Sequence, residues 1–500
     1  MSTHGDTQTL HFSQADLELF RDASGDRNPL HLSRDYASKT AYGQQVVFGA
    51  LGAVACLGHL GQRSGEGSVA KVTADFHRPM FLGVNYGLRV SGQGASETVR
   101  LQDGTVPVLT LSVQYGAEGQ GFCHTGGPAH FERTEAKGAK FEDLTAGTEV
   151  SGTWAADGEK TGELLWRWNV GDAHRPAAEA LLWSSYAVGM ELPGTSALFF
   201  RVALEFEAAP VPDHSVAYSL KVAGVNKTIS QLKVNAELSR NGQRFAHGQV
   251  VAFVRPEMPP VNFAAIASTE RQPFAGKVAV VVGASRGLGA AIAASLAAGG
   301  AHVVGVSRSH VSWRDGLPNE LQARLSTEAA DAADAQALGG LSSQIRDRFG
   351  RLDFLICSAF PAIPSLRLEE NAAERIRGYL RRSTDLVLAP LCAFLPLLNE
   401  SKGCAVIVSS VAVEKPVRDW PHYVAAKNAV EGLGVVAPLQ YPDTGCLLIR
   451  PDKLLTDMTN TPMGRQNAAS PLAYAAQICR ALETPPAPGT SRVFHGSDGE

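Results

Sequence analysis

Five hundred residues exceed what one hydrophobic core organises, so about two to four domains are expected. With 44% hydrophobic residues, 19% charged residues and a formal net charge of −4, the composition is that of a globular protein and gives no electrostatic reason to expect nucleic acid or a membrane surface as partner. Seven scattered cysteines without CxxC or Cys/His ligand spacing argue against a disulfide framework and against a metal site. The opening MSTHGDTQTLHFSQADLELF has no basic start and no apolar run, and the apolar runs GALGAVACLG and LVLAPLCAFLPLL are too short to span a membrane. A cytoplasmic location is expected.

Taken in chain order, the first distinctive stretch is SGDRNPLHLSRDYASKTAYGQQVVFG, residues 24–49. It sets Asp26 and His31 on either side of an Asn28-Pro29 turn and ends at Gly49, which opens an apolar helix near 49–60. Two readings stand side by side: a turn-capping Asp with a half-buried His, or an acid–base pair. The runs KVTADFHRPMFLGVNYGLRVSG, TVRLQD and PVLTLSVQYGA then alternate apolar and polar residues between glycine turns, so residues 1–127 read as one helix wrapped by an antiparallel sheet. GQGFCHTGGPAHFERTEAKGAK reads as a linker. Residues 140–256 repeat the plan: AAEALLWSSYAVGMELPG supplies a helix with Trp183 and Tyr186 in its core, and four strand-like runs follow. A Pro-rich linker spans 257–273, and from residue 274 to 498 strands alternate with helices, as in a doubly wound parallel sheet. The expected fold class is an α+β double hot-dog followed by an α/β Rossmann-type sheet.

The strand–turn–helix VAVVVGASRGLG carries Gly283, Gly287 and Gly289, which read either as a plain tight turn or as one that lets the backbone approach a pyrophosphate. CAVIVSS ends at Ser410, thirteen residues before Tyr423, and Lys427 follows Tyr423 on the same helix face. A lysine beside a phenol is expected to favour the phenolate. Residues 274–498 resemble the short-chain dehydrogenase/reductase family in the glycine turn, Ser410, the YxxxK pair and PDKLLTDMT. The resemblance implies that Tyr423 protonates a carbonyl oxygen, Ser410 holds it and Lys427 binds the nicotinamide ribose. Ser285, Arg286, Leu288 and Ser358 would line the dinucleotide together with the three glycines and with Tyr423 and Lys427. Arg308, which follows Ser307 after the second strand, and Arg286 suit a 2′-phosphate with no carboxylate to repel it, so the expected cofactor is NADPH. Three positions depart from the family: its NNAG reads Cys357-Ser358-Ala359-Phe360, its relay Asn aligns with Ser383, and its late PG is Pro451-Asp452.

SGDRNPLHLSRDYASKTAYGQQVVFGALGAVACLG and FHRPMFLG resemble the MaoC-like, hydratase-2 branch of the hot-dog fold. That resemblance implies water addition to, or loss from, an (R)-3-hydroxyacyl thioester. Asp26 and His31 would move the protons on one face of the substrate, and the N–H of Gly49 would support the thioester oxygen. Phe48 stands where the family commonly has His and is read as a pocket wall. In the second half, Asp172 and His174 come nearest to a dyad but lack its spacing, so this half is expected to be degenerate and to complete the shell around the acyl or pantetheine arm.

The two resemblances act on consecutive intermediates. They imply a bifunctional 3-ketoacyl-thioester reductase and 3-hydroxyacyl-thioester dehydratase in fatty-acid or polyketide-type synthesis. The substrate would be an acyl thioester of acyl carrier protein or CoA, and a homo-oligomer is expected. The alternatives are the oxidative direction, enoyl-CoA hydration followed by (R)-3-hydroxyacyl-CoA oxidation, or a carrier-docking module with one dead site.

Overall fold

Strand pairing divides the chain into an antiparallel half and a parallel half. The computed structural model describes residues 8–60, 68–116, 128–138, 140–207, 215–258, 261, 263, 266, 271–308, 311–461 and 463–496. Two units result, one up to Glu257 and the other comprising Met258–Asn460 with Gly464–Glu500. Among the described residues no helix is long and apolar enough to cross a membrane, and no cluster of three His, Cys, Asp or Glu could hold a metal ion.

In the first unit β1 (Thr9–His11) and α1 (Gln14–Ser24) lead to two short helices, α2 (Pro29–Leu32) and α3 (Arg34–Ser38), and then to the central α4 (Gly49–Leu57). Strands β2 (Ser68–Phe76), β3 (Asn85–Gln93), β4 (Ser96–Asp103) and β5 (Val106–Gly116) follow. The second half adds β6 (His130–Phe131), β7 (Glu149–Ala155), α5 (Gly158–Arg167), α6 (Arg175–Tyr186), β8 (Ala197–Phe206), β9 (Val216–Asn226), β10 (Gln231–Arg240) and β11 (Gln243–Val254). All eleven strands form one sheet in the order β1-β3-β4-β5-β2-β8-β11-β10-β9-β7-β6. Burial alternates along β10, whose Leu232, Val234, Ala236 and Leu238 point inward, as a sheet with one wet face requires.

The halves join where β2 pairs antiparallel with β8, Lys71 opposite Glu205 and Asp75 opposite Arg201. Both cross-strand pairs are ionic, at 2.6 and 3.3 Å. Helix α4 is apolar all round and buried from Ala50 to Leu57, so it cannot face water on any side. It packs against α6, whose Trp183 and Tyr186 are fully buried. The end of α4 also lies close against the residue that caps α5: a Cβ on Gly58, just past α4, would lie 1.7 Å from the Trp168 carbonyl oxygen. The expected linker before the second half is partly structured. Its start lies outside the described residues, but His130 and Phe131 pair with Ala155 and Trp154 as the edge strand β6.

The second unit holds a seven-stranded parallel sheet built from β12 (Val278–Val282), β13 (His302–Ser307), β14 (Leu325–Ala329), β15 (Phe354–Cys357), β16 (Cys404–Val408), β17 (Gly445–Ile449) and β18 (Ser491–Phe494). Its order is β14-β13-β12-β15-β16-β17-β18. The helices are α7 (Gly287–Ala298), α8 (Asn319–Arg324), α9 (Ala335–Phe349), α10 (Ala373–Glu400), α11 (Pro421–Gln440) and α12 (Pro471–Glu483). Every residue of β12 is buried, as expected for a strand covered on both faces. The expected linker 257–273 is not wholly free: Phe263 is buried and stacks on Trp313 at 4.6 Å, with Val261 and Ile266 against the same cluster. Apolar residues in that Pro-rich stretch had somewhere to bury.

The Gly58 approach is testable. Gly58→Ala pushes a methyl into backbone and should destabilise the first unit by about 1–3 kcal/mol, seen as a lower unfolding midpoint. Gly162→Ala, in α5 with nothing within 4 Å of its Cβ position, should leave stability unchanged or raise it.

Candidate active sites

The dyad loop is set by a left-handed turn. Gly25 caps α1 at φ +75°, and a Cβ there would fall 2.4 Å from the Phe131 ring. The chain thereby turns inward at Asp26, which is only 2% exposed. Asn28 caps α2 through its side chain, with Pro29 at the first helical position, and also donates from Nδ2 to the Gly194 carbonyl at 3.2 Å. Both Asp26 oxygens are engaged. Oδ1 accepts from the Asn28 N–H at 3.0 Å, and Oδ2 accepts from the Ser185 hydroxyl of α6 at 2.7 Å. Past α6 the helix loosens into a π turn, Ala187–Glu191, and its Gly189 has room for nothing larger: a Cβ would sit 2.4 Å from Asp26 Oδ1.

Burial pushes the Asp26 carboxyl up to about 6, against the pull of the Ser185 and Asn28 hydrogen bonds. His31 moves the other way. Its Nδ1 lies 2.7 Å from the Val46 carbonyl oxygen, which assigns the proton to Nδ1 and leaves Nε2 as the lone-pair nitrogen. Burial lowers the imidazole to about 4, the Val46 bond opposing this and the Arg255 charge adding to it. The usual order is inverted, and the carboxyl holds a proton more tightly than the imidazole.

Phe48 is fully buried and stacks on the His31 ring at 4.0 Å between centroids, with Phe20 behind it at 4.8 Å. Its ring fixes the plane of the imidazole. Gly49 follows as the first residue of α4, where N–H groups have no partner within the helix, and a Cβ there would meet the Phe76 ring at 2.8 Å.

Asp172 and His174 are not brought together as a dyad. Asp172 is exposed, while His174 is buried with Nε2 2.9 Å from the Tyr115 hydroxyl, which donates to Glu97 at 3.0 Å. Sequence reasoning missed Ser185 and Gly189. The signal was there, as Ser and Gly in an otherwise apolar buried helix, but nothing local tied it to Asp26.

In the second unit the glycine turn fits a pyrophosphate. Gly283 adopts φ +92°, and a Cβ on it would lie 2.7 Å from Ala359 N; one on Gly289 would lie 2.2 Å from the Gly283 carbonyl oxygen. Above Gly287, at φ +59°, only the Thr456 side chain comes as near as 3.5 Å. Arg286 precedes α7 without a side-chain cap on the helix, and Leu288 is buried beneath the turn while Ser285 is half-buried. The Ser358 N–H donates to the Val282 carbonyl, placing this residue beside the turn. These residues fit a dinucleotide's phosphates.

The cationic pair differs from expectation, because carboxylates do stand near it. Arg286 is ion-paired with Asp457 at 3.1 Å, and the exposed Arg308 helps lower Asp331, which Arg382 also grips at 2.9 and 3.0 Å. Neither carboxylate follows the second strand, so the sequence position gave no sign of them.

Around Tyr423 a second expectation needs correcting. Burial raises the phenol, with Ser410 partly offsetting the rise, and no lowering by Lys427 accompanies it. The ammonium is 5.6 Å from the Tyr423 ring centroid and donates to the Val408 carbonyl at 2.8 Å. Lys427 itself is buried and drops to about 7, with Glu431 opposing the fall. Ser383 is fully buried and its hydroxyl finds no partner of good geometry, with the Tyr379 phenol as its polar neighbour.

Residues 2–113 match the MaoC like domain and residues 277–471 match the short chain dehydrogenase family. The chain thus joins a MaoC-like domain of hydratase type to a short-chain dehydrogenase domain, an oxidoreductase class that uses NAD(P). It is similar to an uncharacterized oxidoreductase of Mycobacterium tuberculosis, 28% identical over 41% of this chain and 79% of that one. It is also similar to human mitochondrial dehydrogenase/reductase SDR family member 2, 33% identical over 32% of this chain and 58% of that relative's length. A short chain dehydrogenase of Shigella flexneri solved in complex with NADP aligns over 45% of this chain and 99% of its own, at 21% identity and a TM-score of 0.40.

The shifts in the dyad carry a stability signature. Asp26, raised from 3.8 to about 6, contributes stability that is present below pH 4 and lost as pH rises through 6. His31, lowered from 6.5 to about 4, contributes stability that is present above pH 6.5 and lost as pH falls through 4. The two slopes oppose each other. Asp26→Asn removes only the first, so at pH 7 the variant should be more stable than the parent by on the order of 2 kcal/mol. It should then lose stability steadily from pH 6.5 to 4. Urea unfolding followed by tryptophan fluorescence checks this, and an unchanged or lower midpoint at pH 7 would contradict the buried, destabilising carboxylate.

Proposed function

We propose that the chain is a bifunctional enzyme that reduces a 3-ketoacyl thioester with NADPH and then dehydrates the (R)-3-hydroxyacyl product to the 2-enoyl thioester. The observation that carries this reading is the buried Asp26, held by Ser185 and Asn28, on one loop with a His31 oriented by the Val46 carbonyl, in a chain that also carries Ser410, Tyr423 and Lys427. Ketone reduction makes the alcohol that the dyad is built to dehydrate. In the reductase site a bound nicotinamide supplies the hydride. The Ser410 hydroxyl orients the substrate oxygen, and the buried Tyr423 phenol, which holds its proton tightly, delivers that proton to the oxygen as it becomes an alkoxide.

In the hot-dog half the neutral His31 Nε2 takes the α-proton. Asp26, with a proton affinity near 6, is the acid that protonates the departing hydroxyl, and Ser185 holds its second oxygen in place. The first-turn N–H of Gly49 is the donor for the thioester oxygen. Arg286 and Arg308 favour the 2′-phosphate, Arg286 exchanging Asp457 for it. In this reading the acyl group is carried by CoA or an acyl carrier protein, in cytoplasmic chain building of the fatty-acid or polyketide type.

Incubation with a 3-ketoacyl thioester and NADPH, followed by mass, tests the whole sequence. Asp26→Asn should stop the reaction at the 3-hydroxy product, and Tyr423→Phe should stop it before reduction while leaving dehydration of added 3-hydroxyacyl thioester intact. Accumulation of alcohol by the unaltered protein would remove the dehydratase claim, and no NADPH oxidation with any thioester would remove the reductase claim. Arg308→Ala should raise KM for NADPH about tenfold, roughly the worth of one charge-assisted pair, and leave that for NADH nearly unchanged.

A further inference from the structure

Phe360 ends the CSAF segment, at the place where the short-chain family's NNAG has glycine. Its ring lies over the Lys427 ammonium at 3.4 Å from Nζ to the centroid. That is well inside the range of a cation–π contact. The same ring meets Tyr423 edge-on at 5.7 Å and Tyr379 at 6.3 Å, so it is wedged among the aromatic residues that surround the phenol. Lys427 is 3% exposed and also donates to the Val408 carbonyl at 2.8 Å.

The geometry leaves no room for a hydroxyl on the covered side. An oxygen accepting from Nζ at about 2.8 Å in that direction would lie inside the ring, whose centroid is at 3.4 Å. The pyrophosphate cradle adjoins the backbone of this segment, since a Cβ on Gly283 would lie 2.7 Å from Ala359 N, but above Gly287 it is the Thr456 side chain and not the Phe360 ring that comes near. The loop that carries the ring has no regular structure from Ser358 to Arg367. It is pinned before Phe360 by Ser358 and Ala359 on the Val282 carbonyl, and after it by Leu366 on the Asp419 carbonyl. Both anchors are backbone bonds of neighbouring residues, so neither holds the Phe360 ring itself.

We infer that Phe360 is a gate on the nicotinamide end of the reductase site: its ring occupies the ribose side of Lys427 and must swing away before a dinucleotide can seat fully. The inference rests on the reductase reading above, in which Lys427 binds the ribose. The adenosine and phosphate half of a dinucleotide binds the closed form, and the nicotinamide half binds only the open one. Apparent affinity for the whole dinucleotide is reduced by the fraction of molecules that are open.

The experiment compares the full chain with its Phe360→Gly variant, using calorimetry with NADPH and with adenosine 2′,5′-bisphosphate, which ends short of the ribose at issue. The gate predicts NADPH binding at least tenfold tighter in the variant, with equal affinity of both proteins for the bisphosphate. Equal NADPH affinity in the two proteins, or weaker binding by the variant, overturns it.

Acylation of Lys427 by acetic anhydride, read by peptide mass, gives a second measurement that needs no cofactor. The variant should react at least tenfold faster, and equal rates overturn the inference even if NADPH affinity has changed. Fast labelling of the variant, with neither protein binding NADPH or the bisphosphate, would mean that the ring shields a lysine and gates no dinucleotide. That result removes the reductase reading and the gate together, whereas bisphosphate binding with equal NADPH affinities removes the gate alone.

Discussion

The hydrogen bond from Ser185 to Asp26 crosses from the second hot-dog half to the first, and the setting of the Asp26 carboxyl depends on it. Asp26 lies on a loop of the first half, while the hydroxyl that holds its second oxygen and the glycine that leaves room for it come from the helix of the other. Around this contact β2 pairs with β8, fusing two sheets into one, α4 packs against α6, and Gly58 past α4 meets the backbone that follows α5. Close packing of this kind tolerates little adjustment. A carboxylate in such surroundings is kept by its two hydrogen bonds and loses the solvation that would otherwise make it a weak base.

The second half, in which Asp172 and His174 are not brought together, still contributes to this site. The second copy supplies the walls, the Ser185 donor and the His174–Tyr115–Glu97 chain that ties its own turn to the first half's strands. The halves share the surroundings of Asp26 and His31: the first bears both residues and the Val46 carbonyl, and the second brings Ser185 and the Arg255 charge. In the reductase unit a comparable division runs along the sheet edge. The glycine turn is shaped by backbone approach alone, while the phenol and the lysine owe their properties to burial among aromatic rings.

Much of this was legible in the sequence because it is local. The period-two burial of β10, the all-buried β12, the glycine turn and the Asn28-Pro29 cap each follow from residues within a few positions of one another. The two domain types were readable for the same reason, since their motifs are short and ordered. What escaped was set by contacts between distant segments. Ser185 lies 159 residues from Asp26. Asp457 meets Arg286 from the far end of the domain. Lys427 was expected to act on the phenol because both lie on one helix face, but direction matters as well as spacing, and its ammonium turns to Val408 and Phe360 instead. His31 and Phe48 fall between these cases: the substitution was visible, and the stacking it produces was not.

The ends of the eleven-stranded sheet have a consequence of their own. Its outermost strands are β1, with three residues, and β6, with two. An open sheet edge is a template on which another chain can add a strand, and long flat edges lead to aggregation. Among the described residues β1 covers β3 only from Asn85 to Gly87, and β6 covers β7 only at Trp154 and Ala155, so each short strand caps one end of a longer margin. What the fusion has removed is a pair of inner margins: β2 and β8, each of which would be an outer strand in a single half, are paired with one another.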